Sequence, residues 1–381
     1  MRPHRNSIKI GFSILLFLYS IVCLAKISPP SIPVADRTDA VTFSFQKDSP
    51  TDLYIWKNVS GGKGSINSTP QPIDDYNYYG RMSWACTSDS TFGSCPTTVE
   101  WNSDSITIIA LTFTEIKTGI KKILILRGRN YKAAYDNSQT SEYLAMRNAA
   151  SNNLVFAQSL LDIHISKQEL NTIPIGGIWK ATLVINQWRW DPTFKVATWT
   201  AHITLNVVDR KNIQIYLPNY NTASPTVDLK LRNMPSAPNN PILSGNVNIE
   251  ACLYDGYNAQ SSRYDITMSD PNSKDEKFYI TKKARDPNPK LSNTIPYQVW
   301  VSTPGAPSIA SKKVLSNEPF SFTDVAQSTP KSVTLPNVPN PVYCTPWLIN
   351  LKTANITQKN QAPGRYQGSL HFKFTPASSS L

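Results

Sequence analysis

Through most of this chain apolar and polar side chains alternate one by one, in short runs broken by Gly, Pro, Asn and Ser. Successive side chains of a β-strand point to opposite faces, so each run predicts a half-buried strand. The clearest are "AVTFSFQ" (40–46), "SITIIALTFTE" (105–115), "KKILILRG" (121–128), "WKATLVINQW" (179–188) and "ATWTAHITLNVV" (197–208). Beyond a polar break at Asp209, Arg210, Lys211 and Asn212 come "NIQIYLP" (212–218), "VNIEACLYD" (247–255), "RYDITMS" (263–269) and "KFYIT" (277–281). "IPYQVWVS" (295–302), "KSVTLPNV" (331–338) and "WLINLKT" (347–353) follow. The series ends in "GRYQGSLHFKFTPASSSL" (364–381), where Tyr366, Gly368, Leu370, Phe372 and Phe374 share one face of a single predicted strand. Only "SEYLAMRNAAS" (141–151) reads as a short helix, with a Ser cap before an Ala-rich turn. Many short strands at this spacing predict an all-β protein of two sandwiches. The polar break divides them into residues 26–210 and 213–381.

The first residues depart from this pattern. Arg2, Arg5 and Lys9 precede an apolar run from Ile10 to Leu24, and Cys23-Leu24-Ala25 offers a small-residue cleavage site. This predicts a secretory signal at residues 1–25, with an uncleaved anchor as the alternative. The formal charge of +12 then looks different, because Arg2, Arg5 and Lys9 leave with the signal. The remaining 35 basic and 26 acidic residues give +9, and the positive charges are scattered along the chain. An exported chain without a basic cluster argues against a nucleic-acid partner.

Export also governs the cysteines. Cys23 goes with the signal, which leaves Cys86, Cys95, Cys252 and Cys344. An even number in an oxidising compartment predicts two disulfides. Cys86 and Cys95 flank a Ser/Thr/Gly turn and suit a local staple, so Cys252 and Cys344 pair over a long loop. No C-x-x-C or H-x-x-x-H spacing supports zinc, and no metal or other cofactor is expected.

Candidate chemistry is sparse. His164, His202 and His371 each stand alone within strand-like alternation. There is no G-x-S-x-G, no phosphate-cradling glycine loop and no H-E-x-x-H. The sequence gives no reason to expect an enzyme. Two stretches combine arginine with aromatics: "YNYYGRMSWAC" (76–86) around Arg81, and "NQWRWDP" (186–192), where Arg189 lies between Trp188 and Trp190. Indole faces stack on sugars and arginine forks bind carboxylates, which suits an acidic glycan. Equally, the tryptophans can be core and the arginines merely solvated.

Longer stretches carry a resemblance. "GRMSWACTSDSTFGSCP" (80–96), "ELNTIPIGGIWKATLVIN" (169–186), "NIQIYLPNYNTASPTVDLKLR" (212–232), "ACLYDGYNAQSSRYDITMSDPNSKDEKFYI" (251–280) and "GRYQGSLHFKFTP" (364–376) occur in this order. In them the chain resembles the tip-adhesin and pilus-initiator subunits of alternate chaperone–usher (class 5) fimbriae, the CfaE/CblD-like family. The resemblance implies two immunoglobulin-like sandwiches: an N-terminal adhesin domain at 26–210, a linker at 211–212 and a C-terminal pilin domain at 213–381. It implies a host-cell glycan or glycoprotein receptor bound at a cluster of arginines. Arg81 matches the family's R-M-S arginine and Arg189 one of a basic pair; Trp190 stands where the second arginine of that pair is expected. It further implies that the pilin domain lacks its last strand, with Leu370, Phe372 and Phe374 beneath the open groove. A periplasmic chaperone would fill that groove first, at the outer-membrane usher, and then a donor strand of the major pilin subunit. A structural adaptor or shaft pilin without receptor binding is the alternative, with "AVTFSFQ" as its donor strand.

Overall fold

The computed structural model describes residues 32–63, 79–101, 104–133, 143–149, 158–190, 193–220, 222–235, 240–302, 311–323, 325 and 329–377. The expected signal at 1–25 lies outside them. Among the described residues nine strands form the N-terminal part: β1 (Arg37–Gln46), β2 (Leu53–Lys63), β3 (Met82–Cys86), β4 (Thr107–Glu115) and β5 (Lys121–Ala133). They are followed by β6 (Leu144–Ala145), β7 (Gln158–Ile165), β8 (Gly177–Arg189) and β9 (Phe194–Val208). Their order is β1-β9-β8-β4-β5-β7-β2, with β3 added on β8 and β6 on β5. Alternation works as the sequence predicts: along β4, Ile109, Leu111 and Phe113 are fully buried and Ile108 is exposed. Trp56, Trp84 and Trp199 meet edge-to-face in this core, so several tryptophans are packing residues.

The C-terminal part opens with β10 (Gln214–Tyr216), β11 (Arg232–Met234), β12 (Ile242–Ser244), β13 (Asn246–Tyr254) and β14 (Arg263–Ser269). Next come β15 (Phe278–Lys282), β16 (Thr294–Ser302), β17 (Lys312–Val314), β18 (Pro319–Thr323) and β19 (Lys331–Val333). The last are β20 (Val342–Thr353), β21 (Ile356–Thr357), β22 (Tyr366–Gln367) and β23 (His371–Ala377). One sheet runs β10-β13-β20-β16-β15-β22, a second β18-β14-β23, and a third β11-β12-β21. A second core lies between them, built on Tyr264, Ile266, Met268, Val299, Trp347 and Ile349. The disulfides are Cys86–Cys95 and Cys252–Cys344, with Cα atoms 5.4 and 5.6 Å apart. The protein is all-β, with two immunoglobulin-like sandwiches in tandem.

Three sequence expectations need correction. The stretch expected as a helix holds β6 and turns over its described residues. The Asn130 amide lies within hydrogen-bond reach of the carbonyls of Ala145 (3.3 Å), Met146 (2.9 Å) and Asn148 (3.1 Å). The amides of Ala145 and Ala149 donate to Asp104 and Glu100. Backbone groups that a helix would pair internally are thus held by tertiary partners, and those partners override local propensity. In "KSVTLPNV" the strand stops at Val333 and the chain turns. The terminal run is two strands rather than one. Tyr366–Gln367 pairs with β15 and His371–Ala377 with β14, so the chain changes sheet at Gly368–Leu370. Gly368 permits this, since a β-carbon there would lie 2.6 Å from the Tyr279 carbonyl oxygen. Pro376 remains inside β23, opposite Tyr264, which an edge strand tolerates.

The two sandwiches pack end to end. Cys252, Tyr254, Leu335, Val338, Val342 and Cys344 belong to the same buried cluster as the N-terminal core. Across the junction Asp209 N donates to Gly256 O (2.8 Å), Asn258 Nδ2 to Gly176 O (2.9 Å) and Lys117 Nζ to Ala259 O (2.7 Å). Glu115, fully buried, accepts from Thr118 N on its own turn and from Gln260 Nε2 across the junction.

Candidate functional site

The four receptor candidates fall at one end of the N-terminal sandwich. In the β3–β8 ladder Met82 faces Arg189, Ser83 faces Trp188 and Trp84 faces Gln187. Arg81 therefore precedes β3 beside the strand end that carries Arg189, and Trp190 follows at the turn. All four are half-buried. Opposed residues of a ladder share a face and successive ones alternate. Trp84, Gln187 and Met82 are buried, so Arg189 lies on the inner side of the ladder and Trp188 on the other. The W-R-W run is split between two faces. The Arg189 guanidinium lies 5.8 Å from the ring centroid of Phe194, its cross-strand neighbour. Phe194 is 41 % exposed, and nothing in the sequence marks it, because β8–β9 pairing alone brings it there. The Trp188 indole nitrogen is buried with no hydrogen-bond acceptor among the described residues.

His164, His202 and His371 lie on three different strands, β7, β9 and β23, and Lys132 is buried in β5. His164 is half-buried against Tyr54 (5.1 Å between centroids), and burial first, then Arg129, lowers its pKa. Exposed His202 lies with Nδ1 3.3 Å from Thr182 Oγ1. Among the described residues no three His, Cys, Asp or Glu side chains converge as a metal site would require.

The other candidate region is the edge formed by β23. It pairs with β14 from Arg263–Ala377 to Ser269–His371, and among the described strands with that one alone. Its side chains alternate: His371, Lys373 and Thr375 are exposed, while Phe372 and Phe374 are half-buried on the second core. Phe374 meets Tyr264 edge-on at 4.8 Å and Phe372 lies 5.9 Å from Trp347. Leu370 packs on the same core. So does a segment that belongs to no described strand, 225–231, which buries Leu229 and lays Val227 beside it between exposed Thr226, Asp228 and Lys230. That run alternates in the sequence too, but its Asp, Lys and Pro hide the signal. The N-terminal run "AVTFSFQ" is no free donor: β1 is parallel to β9 through ten register pairs, from Arg37–Trp199 to Gln46–Val208.

Two sandwiches in series, the second with an aromatic-backed strand that among the described strands pairs on one side only, define the two-domain subunit class of chaperone–usher fimbriae. The family model for the first domain of the CFA/I fimbrial protein CfaE matches residues 22–210, and that for its second domain matches 213–378. This chain belongs to the CfaE family of CFA/I fimbrial proteins. The Escherichia coli CFA/I fimbrial protein CfaE is 33% identical over 316 residues, which span 80% of this chain and 83% of that one. The crystal structure of CfaE, the adhesive subunit of CFA/I fimbria of enterotoxigenic E. coli, aligns with a TM-score of 0.72 at 27% identity. It covers 91% of this chain and 94% of the other. A chaperone–tip adhesin complex studied in CFA/I fimbriae biogenesis aligns at 0.60 and 26% identity, over 91% and 98%. These relatives are fimbrial subunits, and no enzymatic family is indicated.

Proposed function

We propose that this protein is a fimbrial tip adhesin: its N-terminal sandwich binds a host-cell glycoconjugate, and its C-terminal sandwich joins it to the fibre and initiates assembly. The observation that carries the reading is the β23 edge, bonded on one side among the described strands and backed by Phe372 and Phe374. An exposed strand edge invites pairing with another chain. In an assembling fibre that pairing is donor-strand complementation, first by a periplasmic chaperone at the outer-membrane usher and then by the major pilin. The protein passes through the periplasm to the tip of the fimbria on the cell surface. Leu370, Phe372 and Phe374 floor the acceptor groove. The adhesin domain comprises residues 26–210, the linker 211–212 and the pilin domain 213–381, after a signal at 1–25. The protein acts by binding, not by catalysis.

Arg81, Arg189, Trp188 and Trp190 form the receptor site. Support comes from their clustering at the β3–β8 strand end and from the match to the family's arginines. Trp190 in place of a second arginine makes this site more aromatic and less cationic than the family pattern. Arg81→Ala and Arg189→Ala should each weaken binding to host cells by roughly 2 kcal/mol, the cost of truncating a desolvated arginine anchor. Folded variants that bind at wild-type affinity would refute the site. A glycan array with the chaperone-bound protein identifies the sugar.

A further inference from the structure

Lys132 is wholly buried at the inner face of β5, opposite Ser159 of β7. Its Nζ donates to Met82 O at 2.6 Å and to Ser159 Oγ at 3.0 Å. The Ser159 hydroxyl, also buried, lies 3.0 Å from the Tyr79 carbonyl oxygen and 3.1 Å from that of Gly80. Peptide carbonyls before and after Arg81 thus converge on one ammonium–hydroxyl pair rooted in two long strands. A buried lysine is rare and costly, and an aliphatic side chain would fill the same volume without desolvating a charge. What an aliphatic residue cannot do is grip carbonyls. We propose that Lys132, acting with Ser159, is a positioning residue of the receptor site, holding the Tyr79–Met82 turn so that Arg81 is presented beside Arg189 in one orientation. The proposal rests on Arg81 being a receptor contact.

A consequence follows for pH. Burial pushes the Lys132 amine down to about 7. Among the described residues, the ionisable groups on the surrounding elements include Tyr79 and Arg81 on the turn, Lys63 on β2, Arg129 and Tyr131 on β5, and Asp162 on β7. Asp162 Oδ1 accepts from Asn58 N at 2.6 Å, and Arg147 of the segment after β6 is ion-paired with Glu100 and Asp104. An opened turn returns the amine to water and to its ordinary value, so above pH 7 the opened state holds a proton that the closed one does not, and the turn is held more firmly as pH rises.

The test uses the full chain bound to its periplasmic chaperone, as wild type, Lys132→Met, Ser159→Ala and Arg81→Ala. Two quantities are read: amide hydrogen exchange over residues 79–84, and binding to cultured epithelial cells from about pH 6 to about pH 8.5. Lys132→Met should speed exchange there and weaken binding, each about 10-fold (about 1.4 kcal/mol), and abolish the rise of binding above pH 7. Wild-type exchange and a wild-type pH profile in folded Lys132→Met overturn the proposal. If that variant does not fold, Ser159→Ala decides: faster exchange at 79–81 with weaker binding supports it, and unchanged values overturn it. Wild-type binding by Arg81→Ala, with exchange still accelerated in Lys132→Met, removes the receptor reading alone and leaves the fastening of the turn to Lys132.

Discussion

Gly176 and Gly256 meet backbone to backbone where the two sandwiches join. A β-carbon on Gly176 would lie 1.9 Å from the Gly256 carbonyl oxygen and 3.0 Å from that of Val207. Gly256 has φ +71°, and a β-carbon on it would lie 2.3 Å from the Asp209 carbonyl oxygen. No flexible side chain is available to yield on either side.

Gly176→Ala should therefore push the sandwiches apart, at a cost of about 1–3 kcal/mol by the measure of overpacked sites. The bonds from Asn258 to Gly176 and from Gln260 to Glu115 should go with it. Calorimetry of the donor-strand-complemented protein should show one melting transition in wild type and two in the variant. A single, unshifted transition in both would show that the junction can relax.

The open edge makes a second prediction. Fusing the donor strand of the adjoining pilin after Leu381 should give a soluble monomer that melts well above the unfused chain. Phe374→Ala should cost about 1–2 kcal/mol in the unfused chain, less than for a fully buried phenylalanine because the ring is half-exposed. In the fused protein the donor covers that ring, so the cost should grow. Equal losses in the two backgrounds would place the donor elsewhere.

Lys132 sets the sign of a pH effect on stability. Its folded pKa of about 7 lies below the ordinary lysine value. Between the two the unfolded chain holds the proton and the folded one does not, so stability rises with pH across that window. At and below pH 7 the desolvation penalty is present in full. In urea unfolding at about pH 6 and about pH 9, the stability of wild type relative to Lys132→Met should shift toward wild type at the higher pH. No shift would mean that the amine titrates at its ordinary value.

The two disulfides should differ in weight. Cys252–Cys344 closes 92 residues and Cys86–Cys95 closes nine. Chain entropy alone makes the first worth about 4–5 kcal/mol and the second about 2–3. Paired Cys→Ser substitutions, compared by denaturant midpoint in the chaperone complex, should keep that order. Cys252 and Cys344 also sit in the cluster that spans the junction, so losing them should loosen both sandwiches.

Much of the fold was legible because period-two alternation is a local property. β14 spans the run predicted for it and β16 differs by one residue. The Asp209–Asn212 break is a single turn of 3-10 helix at Arg210–Asn212. The expected helix failed because its backbone partners, Asn130, Asp104 and Glu100, are supplied from elsewhere in the chain. The candidate site was legible as residue types: Arg81 and Arg189 were named from their neighbours in sequence. Phe194, Ser159 and Lys132 were not, since a lysine inside a β-strand reads as a solvated position until the strands around it are placed.

The final strand shows the division most clearly. Sequence alone determined that Phe372 and Phe374 share a face and that polar residues separate them, because these follow from spacing along one chain. Only the tertiary structure decided that the run changes sheet at Gly368, that among the described strands β23 bonds β14 alone, and that Lys132 is buried with its Nζ on the Met82 carbonyl. Those facts depend on which distant strands become neighbours. That choice is made by burial and by the need to satisfy every polar group left inside.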